Sequence, residues 1–395
     1  MKPLKIHIKC DAQDGYLYGG RLFLVYNDGA IKSVLLWNIM SHNLNLLSDE
    51  YKFFKLAFDR NNWATNRQGK SIFAIKAIQN QFIKEWNKFS NICYSFTIKE
   101  EDLTTLTTVK SMPIFDFRLY GMRMFIGNRE GLYETGFSIE GLEDIKLNEG
   151  LDRVFESRVT NITAKAGSLM ISSNSDGLFH GRLNAINKRI SVDQTPVQTI
   201  SLRTGWSGYD VINYQTQRDF DYLKNSVEQD TERRYLFSAG DEDSKKIRIE
   251  KIGQESIPMN ELFENLTINL DDIIYSFNSS ESCFMFLKDG RFGHSYLNKS
   301  YGNEKSIKLR SVIHELPNNR YNRKVNKPIS SKIVPNGCVV EFFDKVILIQ
   351  DNEKIVLEDK GVTSIKTYPS SIRYRNLITI FDGNGLSIHS LFPLE

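Results

Sequence analysis

A short hairpin pattern recurs along this sequence and limits the possible folds more than any other feature. Each copy consists of an apolar run, a turn that ends in Gly, and a second apolar run. The turns of the five clear copies are Asp28-Gly29, Glu130-Gly131, Asp176-Gly177, Asp289-Gly290 and Asp382-Gly383. Gly reaches positive φ without a Cβ clash, and Asp hydrogen-bonds nearby backbone, so such turns join paired strands. The pattern predicts β-hairpins throughout the chain.

Two weaker copies lack the Gly. One joins Leu236-Phe237 to Ile247 and Ile249, and the other joins residues 346–349 to residues 355–357. The resulting seven hairpins are too many for a two-sheet sandwich, and an open sheet of that size would expose its edges. Radial stacking of four-stranded blades solves both problems. The sequence therefore predicts an all-β chain, residues 1–395, folded as a single β-propeller of about seven blades, with six to eight allowed.

The two ends of the chain are predicted to lie in the same blade. Leu4, Ile6 and Ile8 alternate with polar residues, which is the period of a strand with one buried face. The last hairpin ends near Leu391 and Phe392. Because a closed ring of blades must join its ends, we expect the first and last strands to pair or to share a blade.

The Asp-Gly hairpins resemble the inner strands of a divergent WD40-like β-propeller. The resemblance covers most of the chain, although no blade ends in the Trp-Asp dipeptide of that superfamily. It implies a propeller fold and the binding of proteins or peptides. It implies no particular activity, because a fold does not fix a function.

Residues 52–90 depart from the hairpin repeat and are predicted to be an insertion that contains a helix at 71–89. Apolar residues recur there at helical spacing and form one stripe: Ile75, Ile78, Phe82, Trp86 and Phe89. The simpler interpretation is a helix packed against the flank of the propeller. The alternative is a docking helix for a protein partner, with Ile75, Phe82 and Trp86 as contact residues.

Residues 203–234 also interrupt the hairpin spacing and are rich in aromatic side chains. Trp and Tyr are common anchors of protein interfaces. Trp206 and Tyr209 are therefore candidate protein-binding residues. Packing within strands is the alternative for most aromatics of this stretch.

Residues 298–332 are predicted to form a basic loop between blades. Lys and Arg neutralise phosphates, and Tyr can stack on a base. The candidate residues for binding nucleic acid or another anion are Arg320, Tyr321, Arg323, Lys324 and Lys327. A solvated loop with no ligand is the alternative.

Composition narrows the remaining classes. The net charge is only +3, and no apolar run approaches the roughly 18 residues of a membrane span, so we expect no membrane partner. The first residues lack the apolar core of a signal peptide. The four Cys and six His are dispersed, without the spacing of a metal or redox site. We expect a cytoplasmic protein without a metal or cofactor.

The function that the sequence favours is a non-catalytic propeller that serves as a scaffold or recognition subunit for protein–protein interaction in a larger complex. A nucleic-acid- or nucleotide-sensing component of a bacterial defence or regulatory complex, acting through the basic loop, is one alternative. Another is a propeller hydrolase whose carboxylates converge at the channel mouth from separate blades. No Gly-x-Ser-x-Gly motif is present, which disfavours an enzyme.

Overall fold

The structure is a computed structural model that describes most of the chain. The described residues are 1–59, 67–140, 144–184, 187, 189–229, 247–262, 269–279, 282–299, 307–312, 327–350 and 353–392.

Thirty strands lie in these residues. The first fifteen are β1 (Leu4–Lys9), β2 (Ala12–Tyr18), β3 (Arg21–Tyr26), β4 (Ala30–Leu35), β5 (Cys93–Thr97), β6 (Thr104–Thr108), β7 (Ile114–Tyr120), β8 (Arg123–Asn128), β9 (Leu132–Glu140), β10 (Asp144–Leu147), β11 (Asp152–Phe155), β12 (Asn161–Lys165), β13 (Ser168–Ser172), β14 (Leu178–Leu183) and β15 (Ile190–Val192). The others are β16 (Arg203–Ser207), β17 (Asp210–Tyr214), β18 (Phe220–Gln229), β19 (Ile247–Pro258), β20 (Ile273–Ser279), β21 (Ser282–Leu287), β22 (Phe292–Lys299), β23 (Ile307–Val312), β24 (Ser330–Val334), β25 (Gly337–Glu341), β26 (Val346–Gln350), β27 (Glu353–Glu358), β28 (Ser364–Thr367), β29 (Leu377–Phe381) and β30 (Gly385–Ser390).

The α-helices of the described residues lie mostly between β4 and β5. They are α1 (Leu36–Asn43), α2 (Asp49–Phe54), α3 (Arg67–Phe73), α4 (Lys76–Phe89) and, much later, α5 (Met259–Leu262). Helix α2 begins where the Ser48 hydroxyl accepts a hydrogen bond from the backbone N–H of Tyr51. It continues into a π-helical turn, Lys55–Asp59. Short 3₁₀ turns occur at Glu100–Asp102 and Leu270–Asp272.

The strands form seven sheets, and the chain is a seven-bladed β-propeller, as the hairpin count predicts. The strand orders are β2-β3-β4-β6, β7-β8-β9-β10 with β11 also on β9, β12-β13-β14-β15, β16-β17-β18-β19, β20-β21-β22-β23, β24-β25-β26-β27 and β28-β29-β30-β1-β5.

The residues divide into two compact units. The first comprises Met1–Lys110, Glu140–Ile145 and Pro328–Glu395, and the second comprises Ser111–Ile139 and Lys146–Lys327. Within the second unit the leading strands of successive sheets contact one another in the order β7, β12, β16, β20, and within the first unit β24, β28 and β2 do the same. Contact between leading strands is the packing of propeller blades around an axis, so these are the inner strands.

The five Asp-Gly or Glu-Gly turns form the predicted hairpins. Each joins the second and third strands of a blade: β3–β4, β8–β9, β13–β14, β21–β22 and β29–β30. At the first turn, Gly29 has φ of 82°, and a Cβ there would lie 2.1 Å from the Val109 carbonyl oxygen. Both its conformation and its packing therefore require Gly.

One of the two weaker copies is confirmed as a hairpin, and the other lies partly outside the described residues. Residues 346–349 and 355–357 do form a hairpin, but it joins the third and fourth strands of its blade, β26 and β27. Leu236-Phe237 lies outside the described residues, while Ile247 and Ile249 belong to the outer strand β19. The hairpin of that blade is β17–β18, within the stretch that the sequence analysis treated as an interruption. The turn of that hairpin, residues 215–219, contains no Gly, so the search for Gly-containing turns did not detect it.

A polar pair recurs between the second and third strands of a blade, at the end away from the turn that joins them. The residue that begins the second strand contacts a residue on the third strand, two positions before its direct cross-strand partner. The pairs are Arg21–Ser33, Arg123–Glu134, Ser168–His180 and Asp210–Tyr222. A buried polar group is costly unless it is hydrogen-bonded, so each pair supplies the partner that makes its burial tolerable. His180 is thus a packing residue of its blade.

The first and last described strands pair, as predicted. Strands β1 and β30 are antiparallel, with Leu4 opposite Ser390 and Lys9 opposite Gly385. Glu358, the last residue of β27 in another sheet, pairs with Lys5 of β1 at 2.7 Å and with His389 of β30 at 3.1 Å. Burial opposes ionisation of Glu358, but the hydrogen bonds from His389 and Lys5 outweigh it and lower its pKa to about 2.

The buried His389 makes stability fall on mild acidification. Burial lowers the pKa of His389, more than the hydrogen bond to Glu358 raises it, so the folded ring stays neutral. In the unfolded chain this ring gains a proton below its ordinary pKa of about 6.5, which favours unfolding as the pH falls from 7 to 5. Glu358 contributes only at lower pH, because its folded pKa is about 2.

We expect His389→Gln to reduce the difference between the urea midpoints of unfolding at pH 7 and pH 5. The Gln amide can still donate to Glu358 but does not titrate in this range. The same difference in the variant and the natural chain would show that other groups cause the acid sensitivity.

Candidate protein-binding surface

A helical insertion fills the chain between β4 and β5. It starts at Leu36, earlier than the predicted 52–90 segment, and contains α1 to α4. The predicted helix 71–89 is divided between α3 and α4, with the break at Ala74 and Ile75. After α4, strand β5 pairs in parallel with β1, Lys5 lying opposite Cys93. The insertion thus leaves the blade of β4 and supplies β5 as the fifth strand of the sheet that contains β1 and β30.

An aromatic cluster fixes the insertion to that sheet. Trp86 of α4 is fully buried, and its indole N–H donates to the Lys2 carbonyl at 2.9 Å. Its ring lies perpendicular to Phe392, with 5.0 Å between centroids. Phe53 packs against Phe82 and Phe89, with centroids 5.1 and 5.2 Å apart. These contacts bind α2 and α4 to the residues next to β1 and β30.

Polar contacts secure the end of the π-helical turn. The Arg373 guanidinium donates to the Asp59 carbonyl at 2.9 Å and pairs with its carboxylate. The Ser390 hydroxyl donates to the Ala57 carbonyl at 2.6 Å. Asp59 is buried, and a buried carboxylate requires such a partner. The insertion is therefore held rigidly on the propeller rather than carried on a flexible tether.

The apolar stripe of the insertion is buried in one half and exposed in the other. Phe82, Trp86 and Phe89 lie in the core, and this corrects the prediction that Phe82 and Trp86 contact a partner. Ile75 is 52% exposed and Ile78 38% exposed. The stripe continues past the edge of the core that it covers.

Ile72 belongs to the exposed half, although the sequence analysis missed it. Backbone hydrogen bonds run from the Ile75 N–H to the Ile72 carbonyl and from the Ile78 N–H to the Ile75 carbonyl. These bonds link the three residues across the break between α3 and α4, where the backbone of Ile75 is extended. Ile72 is 50% exposed, and we call Ile72, Ile75 and Ile78 the isoleucine ridge. The signal available in the sequence was the three-residue spacing, which extends backwards from Ile75.

The insertion carries a disproportionate share of the exposed apolar surface. Residues 36–92 are 57 of the 395 residues, yet they hold eight of the fifteen exposed large apolar residues in the described part of the chain. The eight are Trp37, Leu46, Leu47, Leu56, Ile72, Ile75, Ile78 and Ile92. Scattered apolar residues are normal on a surface, whereas a concentration of them marks an interaction site.

The other aromatic candidates lie in the blade β16–β19. Trp206 is half-buried and packs against the core cluster that contains Met170, Val211 and Leu223. Tyr209 lies in the turn between β16 and β17, with the Lys165 ammonium 5.4 Å from its ring centroid. Both side chains are therefore engaged by neighbours within their own unit, and their protein-binding role stays a prediction.

The basic candidates are largely outside the described residues. Arg320, Tyr321, Arg323 and Lys324 lie there, and Lys327 is described and exposed. The predicted loop at 298–332 is not one loop, because Ile307–Val312 form β23 and pair with β22. Alternating Ile and Leu with Lys and Arg is a strand pattern, which the charge of the stretch concealed.

Two aspartates on inner strands bear on the hydrolase alternative. Asp14 of β2 accepts from the Ser364 hydroxyl at 2.6 Å and pairs with Lys366 at 3.0 Å. Asp116 of β7 accepts from the Ile162 N–H at 2.8 Å and from the Asn161 amide at 3.2 Å. Each carboxylate holds the inner strand of a neighbouring blade. Among the described residues, no three His, Cys, Asp or Glu side chains gather in a geometry that would hold a metal.

Comparisons with known proteins do not assign this chain to a family. No protein-family model and no curated protein matches this sequence. A similar solved structure is the β-propeller domain of Cps50 (Swd1) from Myceliophteria thermophila, 8% identical, with 96% of each chain covered and a TM-score of 0.47. Another is the Neurospora crassa Pan2 WD40 domain, 8% identical over 96% of this chain and 88% of that chain, with a TM-score of 0.45. The WD40 β-propeller domain of Doa1 is 9% identical over 98% of this chain and 93% of that chain, with a TM-score of 0.41. With TM-scores below 0.5 and identities below 10%, these likenesses carry no conclusion about this chain.

Proposed function

We propose that this chain is a non-catalytic β-propeller that acts as a scaffold or recognition subunit and binds a protein partner through the isoleucine ridge. The observation that carries this proposal is the uncovered half of the apolar stripe, displayed on an insertion that aromatic and ionic contacts hold in place. A preformed surface costs little ordering on binding. None of the described helices is long and apolar enough to span a membrane.

The ridge is large enough to matter energetically. Full burial of an Ile side chain is worth about 1.5–3 kcal/mol, so covering three half-exposed ones contributes about 3 kcal/mol. That corresponds to about a hundredfold in affinity. The nucleic-acid alternative stays a prediction that depends chiefly on residues outside the described part of the chain.

A single charged substitution on the ridge tests the proposal. We expect the natural chain in its host to elute in a complex larger than its own 45.6 kDa, and Ile75→Asp to elute in a smaller one, because a buried unpaired carboxylate is costly. Size-exclusion chromatography of native extracts, followed by immunodetection, measures both.

Ile200→Asp is the matched control, since Ile200 is 48% exposed and lies outside the insertion. It should elute like the natural chain. Identical elution of all three forms would refute the ridge as the binding surface. Thermal unfolding of each purified variant checks that Ile75→Asp leaves the fold intact.

A further inference from the structure

The charge around the isoleucine ridge is the second unusual property of the insertion. Helices α3 and α4, residues 67–89, contain five Lys or Arg and one Glu, a net charge of +4. The whole chain has a net charge of +3, so all other residues together sum to −1. The two helices that carry the ridge are therefore a locally basic segment of a chain whose charges otherwise nearly balance.

Two exposed cations flank the ridge along the chain. Lys76 directly follows Ile75, and Lys84 lies six residues after Ile78. The one acidic residue, Glu85, accepts from the Gln81 amide at 3.1 Å and lies 3.7 Å from Lys88. Both of these contacts lie within α4.

We infer that the partner presents an acidic segment with apolar side chains to the isoleucine ridge, an inference that rests on the protein-binding function proposed above. Apolar side chains of the partner would cover the three isoleucines, while its carboxylates face Lys76 and Lys84. Complementary charge at the rim of an apolar contact speeds association and selects the partner. The ridge spans the seven residues 72–78 across the break between α3 and α4, so a short segment of the partner is enough to cover it.

A basic and apolar helix would also suit an anionic membrane surface, but the structure argues against this occupant. A membrane-surface helix buries a wide apolar face rich in aromatic side chains. Here the aromatic half of the stripe, Phe82, Trp86 and Phe89, is turned into the core. The exposed part of the stripe, Ile75 and Ile78, is aliphatic, so the ridge lacks the aromatic face of a membrane-surface helix.

Site-specific photo-crosslinking in the host tests this inference. The probe is p-benzoylphenylalanine at position 75 of the full chain, with position 200 as the control site, and mass spectrometry identifies the linked peptide. We expect position 75 to link to a peptide with net negative charge and apolar residues. Adding Lys76→Glu and Lys84→Glu should reduce the yield about tenfold, the equivalent of two ion pairs replaced by repulsion. Lys288→Glu, at an exposed lysine outside the insertion, should leave the yield unchanged.

The outcomes separate this inference from the proposed function. A linked protein segment that is neutral or basic, or a yield insensitive to the two Lys→Glu changes, overturns the acidic partner but leaves the ridge as a protein-binding surface. Failure of position 75 to link to any protein overturns both. Cosedimentation with phosphatidylserine vesicles that Ile75→Asp abolishes would also overturn both, in favour of a membrane surface.

Discussion

Replacing Trp86 with alanine is expected to lower the free energy of unfolding by about 3–5 kcal/mol. Trp86 is completely buried, so the substitution leaves a cavity between α4 and Phe392. It also removes the hydrogen bond to the Lys2 carbonyl. Urea unfolding followed by circular dichroism measures the change. The loss is expected to be large because one side chain touches residues beside both the first and the last strand.

Trp37→Ala is the matched control for Trp86. Trp37 is in the same insertion but is exposed, with the Lys55 ammonium 3.9 Å from its ring centroid. We expect its loss to be about 1 kcal/mol, typical of an exposed cation–π contact. Equal losses for Trp86 and Trp37 would contradict the view that α4 secures the sheet formed by the two ends of the chain.

Replacing Arg123 with methionine is the second substitution with a large expected effect. Arg123 and Glu134 are both buried, and the Arg123 Nε donates to Glu134 at 2.8 Å. Arg123 also pairs with Glu149, which in turn pairs with Arg189. Burial already raises the pKa of Glu134 despite this pairing. Without the guanidinium, the Glu134 carboxylate stays buried but loses its cationic partner. We therefore expect a loss of about 3–5 kcal/mol in the free energy of unfolding.

Two further variants isolate the cause of that loss. Arg189→Met removes an exposed cation from the same network, and we expect a loss of about 1 kcal/mol or less. Arg123→Met combined with Glu134→Leu removes both buried charges and should recover part of the stability lost in Arg123→Met. A double variant that is less stable than Arg123→Met would show that the pair itself, rather than the stranded carboxylate, dominates.

The predictable part of the fold was the part encoded in local chemistry. Positions such as 29 require Gly because φ is positive and another backbone segment approaches closely. The Gly therefore makes the turn recognisable in the sequence. The blade β16–β19 was missed because its second and third strands are joined by residues 215–219 without Gly. The buried pairs, such as Ser168–His180, were invisible as pairs because their partners are twelve residues apart and become neighbours only through strand register.

The candidate surface was also only partly predictable from the sequence. Helical spacing alone established that Ile75, Ile78, Phe82, Trp86 and Phe89 form one stripe. It could not decide which of them are exposed to a partner. Periodicity shows which side of a helix a residue is on, but not which residues on that side are covered by the core. The tertiary structure decided this: Lys2 and Phe392 cover the stripe at Trp86, and no comparable burial extends to Ile75 among the described residues.

The sequence by itself determined the repeated hairpins, the propeller and the pairing of its first and last strands, because turn chemistry and the two-residue period of strands are local properties. Only the tertiary structure decided that the insertion adds a strand to the sheet of β1 and β30 and leaves the isoleucine ridge exposed. Burial depends on contacts between residues as distant in sequence as Lys2, Trp86 and Phe392, and no local pattern records them.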